Sequence, residues 1–191
     1  MKIGFYPRLA WSGIRKNKEL YIPYLLTCIG MIMMYYIVSY LYTGSLLSTV
    51  RGGDIVAALM GLGRFVIGVF SVIFLFYTHS FLIRRRKREF GLYSILGMNK
   101  LNLARIMIWE SVTVICISLV SGLAFGILFS KLAELLMNYI LRADVNYSMQ
   151  INPENVRQTV ILYLVIFLLM LVVTLRQIHV TEPIQLLRSE N

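Results

Sequence analysis

Four long stretches of the chain carry almost no charge, and polar or basic segments separate them. Leu20 to Tyr42 runs 23 residues without a charged side chain, Phe65 to Ile83 runs 19 broken only by His79, Ser111 to Ser130 runs 20, and Thr159 to Leu175 runs 17. A membrane-spanning helix needs about 20 mostly apolar residues, within a range of roughly 17–25. The pattern therefore predicts an all-α membrane protein with four transmembrane helices, at 20–43, 64–83, 106–130 and 153–176. Ile106 to Trp109 prolongs the third run below Glu110. Asn152-Pro153-Glu154 starts the fourth: a capping residue, a proline at the first helical position and an acid in the first turn. The intervening pieces are an N-terminal interfacial segment (1–19), two outer loops (44–63 and 131–152), a connecting segment (84–105) and a tail (177–191). In the second outer loop Leu132, Leu135, Leu136, Tyr139 and Ile140 are spaced like one face of a helix. That face either prolongs the third span or lies on the membrane.

Composition agrees. Of 191 residues 58% are hydrophobic and 15% charged, and the mean hydropathy is +0.72. A soluble domain of this size cannot hide that much apolar surface. The first run starts too deep and is too long for a cleavable signal peptide, and it reads as a signal anchor. The net charge of +10 gathers at the ends of the apolar runs, which points to topology and anionic lipid rather than to nucleic acid. Fourteen Lys and Arg fall in 1–19, 84–105 and the tail with Arg176 at its edge, and five in the opposite loops and their edges. The positive-inside rule then predicts cytoplasmic termini and a cytoplasmic 84–105 segment.

Within the spans, Ser118, Gly122, Gly126 and Ser130 repeat every four residues and make one smooth stripe, suited to close helix packing. Small residues are also simply common in membrane helices. His79 and Glu110 each lie one turn inside the basic end of their runs. If the second and third spans are antiparallel neighbours, the two share a depth and can form an intramembrane polar pair. Both are also close enough to the boundary to reach out of it. Trp11 and Tyr21, Tyr40 and Tyr42, and Trp109 fit the aromatic belts at span ends. Cys28 and Cys116 lie inside apolar runs and read as small hydrophobes. No Cys/His spacing suits a metal, no cofactor motif is present, and no Ser/His/Asp set supports an enzyme.

The connecting segment holds "RRRKREFGLYSILGMNK", Arg84 to Lys100. Arg84 to Arg88 suffice to set topology. On a helix, Phe90, Tyr93 and Gly97 align, and Leu92, Ile95 and Leu96 widen the apolar arc; Gly97 can end that helix and Asn99 can cap the next. The residues alone leave two readings open: a short amphipathic helix that floats on the membrane, or one that docks a soluble partner.

The stretch "RKREFGLYSILGMNKLNLARIMIWES" resembles the segment between the second and third membrane helices of FtsX-like ABC transporter permeases. "LAWSGIRKNKELYIPYLLT" and "VTEPIQLLRSEN" are similar to the start and the end of the first permease unit in the BceB-type branch, which is linked to bacitracin and other antimicrobial peptides. The resemblance implies a bacterial cell-membrane location and a permease subunit coupled to a separate ABC ATPase. The chain itself has no G-x-x-x-x-G-K-[ST] loop. It implies contact with that ATPase through Arg88, Glu89, Phe90, Gly91, Tyr93, Leu96, Gly97 and Met98. A second permease half and a sensor histidine kinase are further partners in that branch. Full BceB-type permeases continue into a large extracytoplasmic domain and a second membrane half, so the expectation here is the N-terminal permease unit, with the family region at about 63–180. The alternative is a regulatory FtsX-like protein that passes ATPase state to a sensor kinase or an extracytoplasmic hydrolase without moving a solute.

Overall fold

The structure, a computed structural model, describes residues 5–44, 52–95, 100–141 and 152–180. All the regular structure among them is helical: α1 (Phe5–Lys16), α2 (Lys18–Thr43), α3 (Gly53–Ile95), α4 (Lys100–Leu141) and α5 (Pro153–Val180). By length and composition, four segments can cross a membrane: Lys18–Thr43, Gly53–Arg86, Leu101–Ile140 and Pro153–Arg176. Each of the four expected spans is thus a helix.

Local chemistry explains two of the helix starts. At the start of α5 the Asn152 Oδ1 accepts the Glu154 N–H at 3.0 Å, and Pro153 takes the first helical position, where no N–H is needed. Gly52 turns into α3 with φ +86°, a conformation that favours glycine, and its carbonyl accepts the Ile55 N–H at 3.1 Å. Asp54 follows in the first turn, where the helix dipole favours an acid. α2 passes through Pro23 one turn and a half in, and the helix continues beyond it.

Two helices outrun the hydropathy windows. Residues 53–63, expected as loop, are the start of α3, and residues 131–141, for which prolongation of the third span was one of two readings, are the end of α4. The apolar face continues into both extensions: Ile55, Leu59 and Leu62 on α3, and Leu132, Leu136, Tyr139 and Ile140 on α4, are all exposed. A hydropathy window marks only the part of a helix that suits lipid, not where its hydrogen bonds stop. α3 also runs on unbroken to Ile95, so residues 84–95 prolong the second span. Residues 96–99 lie outside the described residues. The N-terminal segment, expected only as interfacial, holds α1.

The chain divides into two compact units. The first takes in residues 1–26, 75–117 and 164–191. Its core includes Tyr21 and Tyr24 of α2, Leu82 and Ile83 of α3, Leu103 and Met107 of α4, and Phe167 and Met170 of α5, all buried. The second takes in residues 27–74 and 118–163. There α2 and α4 meet almost backbone to backbone. A Cβ on Gly122 would stand 2.8 Å from the Ile32 Cβ and 3.3 Å from the Ile29 carbonyl oxygen, and one on Gly126 would stand 3.1 Å from the Tyr36 Cβ. Ser118 and Ser130, the outer members of the four-residue stripe, are buried as well. Also in this unit, the Tyr163 hydroxyl donates to the Met31 carbonyl at 2.7 Å and lies 2.8 Å from the Ser71 hydroxyl.

Lipid tails are as apolar as leucine, so close packing is the main attraction left between such helices. Gly122→Ala is expected to lower stability by about 1–3 kcal/mol, the usual cost of overpacking. Gly30 faces open space, and Gly30→Ala should cost nothing. Thermal unfolding of the purified protein in detergent reads the difference, and equal stability of the two variants would contradict the close approach.

Candidate functional site

The first unit buries an ion pair. Arg86 and Glu110 are each about 3% exposed. The Arg86 Nη1 donates to the Glu110 Oε2 and to the Tyr21 hydroxyl. Tyr21 in turn donates to the same carboxylate oxygen at 3.2 Å, and the guanidinium lies over the tyrosine ring, 5.5 Å from its centroid. α1 closes the set. A Cβ on Gly13 would stand 2.8 Å from the other carboxylate oxygen, Oε1, so α1 comes close to the pair at this glycine. That oxygen has no hydrogen-bond partner among the described residues. One charge pair thus touches α1, α2, α3 and α4.

Sequence reasoning counted Arg86 among the topology-setting arginines. Its neighbours Arg84 and Arg85 are indeed exposed, but Arg86 turns inward. The signal was present: His79, Leu82, Ile83 and Arg86 stand at i, i+3, i+4 and i+7, which is one helix face. Tyr21, expected as a belt residue, is buried in the same set, whereas Trp11, Tyr42 and Trp109 are exposed as belt residues are.

His79 sits in a second polar set. Its Nδ1 is 3.1 Å from the Tyr24 hydroxyl and its Nε2 is 2.7 Å from the Thr174 hydroxyl. The Thr174 hydroxyl donates its one hydrogen to the Met170 carbonyl at 2.9 Å. It can therefore only accept from His79, which places the ring proton on Nε2 and leaves Nδ1 to accept from Tyr24. The bonds run one way, from α2 through α3 to α5. His79 and Glu110 line one small cavity of about 20 Å³, together with Tyr21, Tyr24 and Ser111. They do not bond each other: the expected pair is replaced by two sets with separate partners. Helical spacing sets the depth of a side chain, but rotation about the helix axis decides what it meets.

For the proposed ATPase contact, Arg88, Glu89, Phe90, Gly91 and Tyr93 fall on the α3 backbone. Leu96, Gly97 and Met98 lie outside the described residues. Among the described residues no cluster of His, Cys, Asp and Glu could hold a metal ion.

Removing one member of a buried pair leaves the other charge uncompensated, at a cost of about 3–5 kcal/mol. Glu110→Leu should lower the unfolding temperature sharply, and Arg86→Met together with Glu110→Leu should restore most of the loss. A double-mutant cycle measures this; additive single effects would reject the pair as a coupled unit.

Residues 62–183 match the family described as FtsX-like permease C-terminal. An ABC transporter permease of Bacillus subtilis strain 168, YvcS, which carries the label uncharacterized, is 28% identical over 183 residues, 95% of this chain and 28% of the relative. The bacitracin export permease BceB of the same organism is 26% identical over 165 residues, 86% of this chain and 26% of the relative. BceB of Halalkalibacterium halodurans is 26% identical over 163 residues, 85% of this chain and 25% of the relative. The chain spans about a quarter of the length of the curated relatives it matches. With four helices able to cross a bilayer and permeases as its relatives, it is a multi-pass bacterial membrane protein. The family match runs through most of α3 and all of α4 and α5, and on that ground this chain belongs to the FtsX-like permeases.

Proposed function

We propose that the chain is a permease unit whose helices are moved by ATP hydrolysis in a separate ABC ATPase, in the service of resistance to, or export of, bacitracin-like antimicrobial peptides. The similarity to two bacitracin export permeases supports the peptide class. The mechanical part rests above all on the continuity of α3. That helix carries Arg88 to Ile95 and the second span on one backbone without a break. Force applied at Glu89 and Phe90 has no flexible joint to absorb it before the span. Just inside that segment, Arg86 binds Glu110 of α4, so a displacement of α3 is passed to α4. The role of this chain would be that of a transducer, with the hydrolysis chemistry in the partner.

The excess of Lys and Arg supports a cytoplasmic position for the 84–105 segment, where an ATPase would reach it. With Cys28 and Cys116 replaced by Ala, a Lys100→Cys variant should react with an impermeant maleimide in inverted vesicles and not in intact cells; the opposite pattern would place the segment outside. The docking itself is tested by co-purifying the co-expressed ATPase of the transporter. Phe90→Ala and Glu89→Ala are expected to reduce the recovered partner several-fold, as loss of anchor residues at an interface does. Full retention by both variants would reject this segment as the contact.

A further inference from the structure

The second apolar run ends in an arginine at each side. From Phe65 to Ile83 α3 carries 19 residues, about 28 Å at 1.5 Å per residue, which matches the ~30 Å hydrocarbon core of a bilayer. With Arg84 at one boundary, Arg64 stands at the other, the level of the lipid phosphates in the opposite leaflet.

Arg64 is half-buried, and no acid pairs with it among the described residues. Its Nε donates to the Tyr35 hydroxyl at 3.1 Å and its Nη2 to the Gln158 Oε1 at 2.6 Å. The guanidinium also lies 5.5 Å and 5.9 Å from the ring centroids of Tyr35 and Tyr42. All of these partners are neutral. The carboxylate that follows in this network, Glu154, is held by the other end of Gln158 at 2.8 Å and by Arg157 at 2.9 Å, so it already has a cation. The Nη1 of Arg64 has no acceptor among the described residues. A cation in this position is costly unless something anionic meets it.

Arg64 also lines a groove of about 480 Å³, open on one side. Tyr35 and Tyr42 of α2 form one wall. On α3, Gly61 lies against the Tyr42 ring, Gly68 leaves a trough, and the groove continues past Val69 and Val72, both exposed. Its head is cationic and its body apolar, the polarity of a phospholipid. Guanidinium suits phosphate because its planar fork offers parallel N–H donors.

We propose that this groove holds an anionic glycerophospholipid, with the phosphate on Arg64 and one acyl chain along Val69 and Val72. The charge balance favours an anionic lipid over a zwitterionic one, because no acid pairs with Arg64 among the described residues. Native mass spectrometry of the detergent-purified protein, titrated with phosphatidylglycerol, phosphatidylcholine and diacylglycerol, provides the test. Phosphatidylglycerol should be retained most strongly and diacylglycerol at least about tenfold more weakly, the scale of one charge-assisted contact. Arg64→Gln should reduce phosphatidylglycerol retention by a similar factor, and Arg64→Lys by less. A Cβ on Gly68 would meet only the Tyr35 Cε2, at 3.8 Å, so Gly68→Leu can fill the trough with Arg64 left in place, and it too should expel the lipid. Equal retention of phosphatidylglycerol and diacylglycerol, or unchanged retention in Gly68→Leu, overturns the proposal. So does displacement by inorganic phosphate, which would mark a free-anion site. If Arg64→Gln fails to fold, the headgroup order and Gly68→Leu still decide.

Discussion

A bilayer supplies no water to accept a stray charge, and the meeting of Arg86 with Glu110 answers that constraint. Four helices are tied to this one contact: α3 and α4 supply the charges, α2 contributes the Tyr21 hydroxyl, and α1 draws close at Gly13. Desolvating both groups offsets most of what their attraction contributes, so the pair adds little to net stability. Its effect is on geometry. Any arrangement that parts the two leaves a bare ion in an apolar setting, and such arrangements are excluded by several kcal/mol each, on the order set by buried-pair removals.

The second unit solves the same problem differently. Where the first joins helices through side-chain charge and hydroxyls, the second lets α2 and α4 approach until Ile32 and Tyr36 lie against glycine backbone. Some polar groups there are matched locally, as in Thr159 Oγ1 to the Asn155 carbonyl, or across helices, as in Asn155 Nδ2 to Thr43 and Tyr40 to Glu134, while the buried Ser39 and Ser118 hydroxyls and the Asn138 amide have no partner among the described residues. Directional bonds fix angles, and glycine contacts fix distances. α3 stands apart from both strategies in its apolar window, of which only 11% is buried against 33% for α2 and α5. Most of its circumference is therefore left uncovered by the other described helices.

Much of this was legible in the residues. The apolar runs located every span, and Asn152-Pro153-Glu154 marked the first turn of α5 correctly, because a capping side chain and a proline act locally. Helix length was not legible at 53–63, whereas at 131–141 continuation of the third span was one of the two readings that the spacing of Leu132, Leu135, Leu136, Tyr139 and Ile140 left, and α4 follows it. Hydrophobicity reports which part of a helix suits lipid, while backbone hydrogen bonding continues wherever the chain permits it. The polar partners were harder still. His79 and Glu110 were placed at one depth, and both do line one cavity, yet each bonds elsewhere, since the rotation that aims a side chain depends on all the neighbours at once. Arg86 was hidden by company: among five basic residues in a row, only its register with His79 distinguished it. The family segment at 88–98 was recognisable as a motif, and its last three proposed contact residues lie outside the described structure.

The bonds through His79 have a direction, and that has a mechanical meaning. Tyr24 donates to the imidazole, the imidazole to Thr174, and Thr174 to its own helix backbone. Hydrogen bonds lose most of their strength within a few tenths of an ångström or a few tens of degrees. Turning α3 against either neighbour would therefore break a bond on each side of the ring together and leave both nitrogens without partners. The imidazole, bonded on both sides, fixes the rotational setting of α3 against α2 and α5.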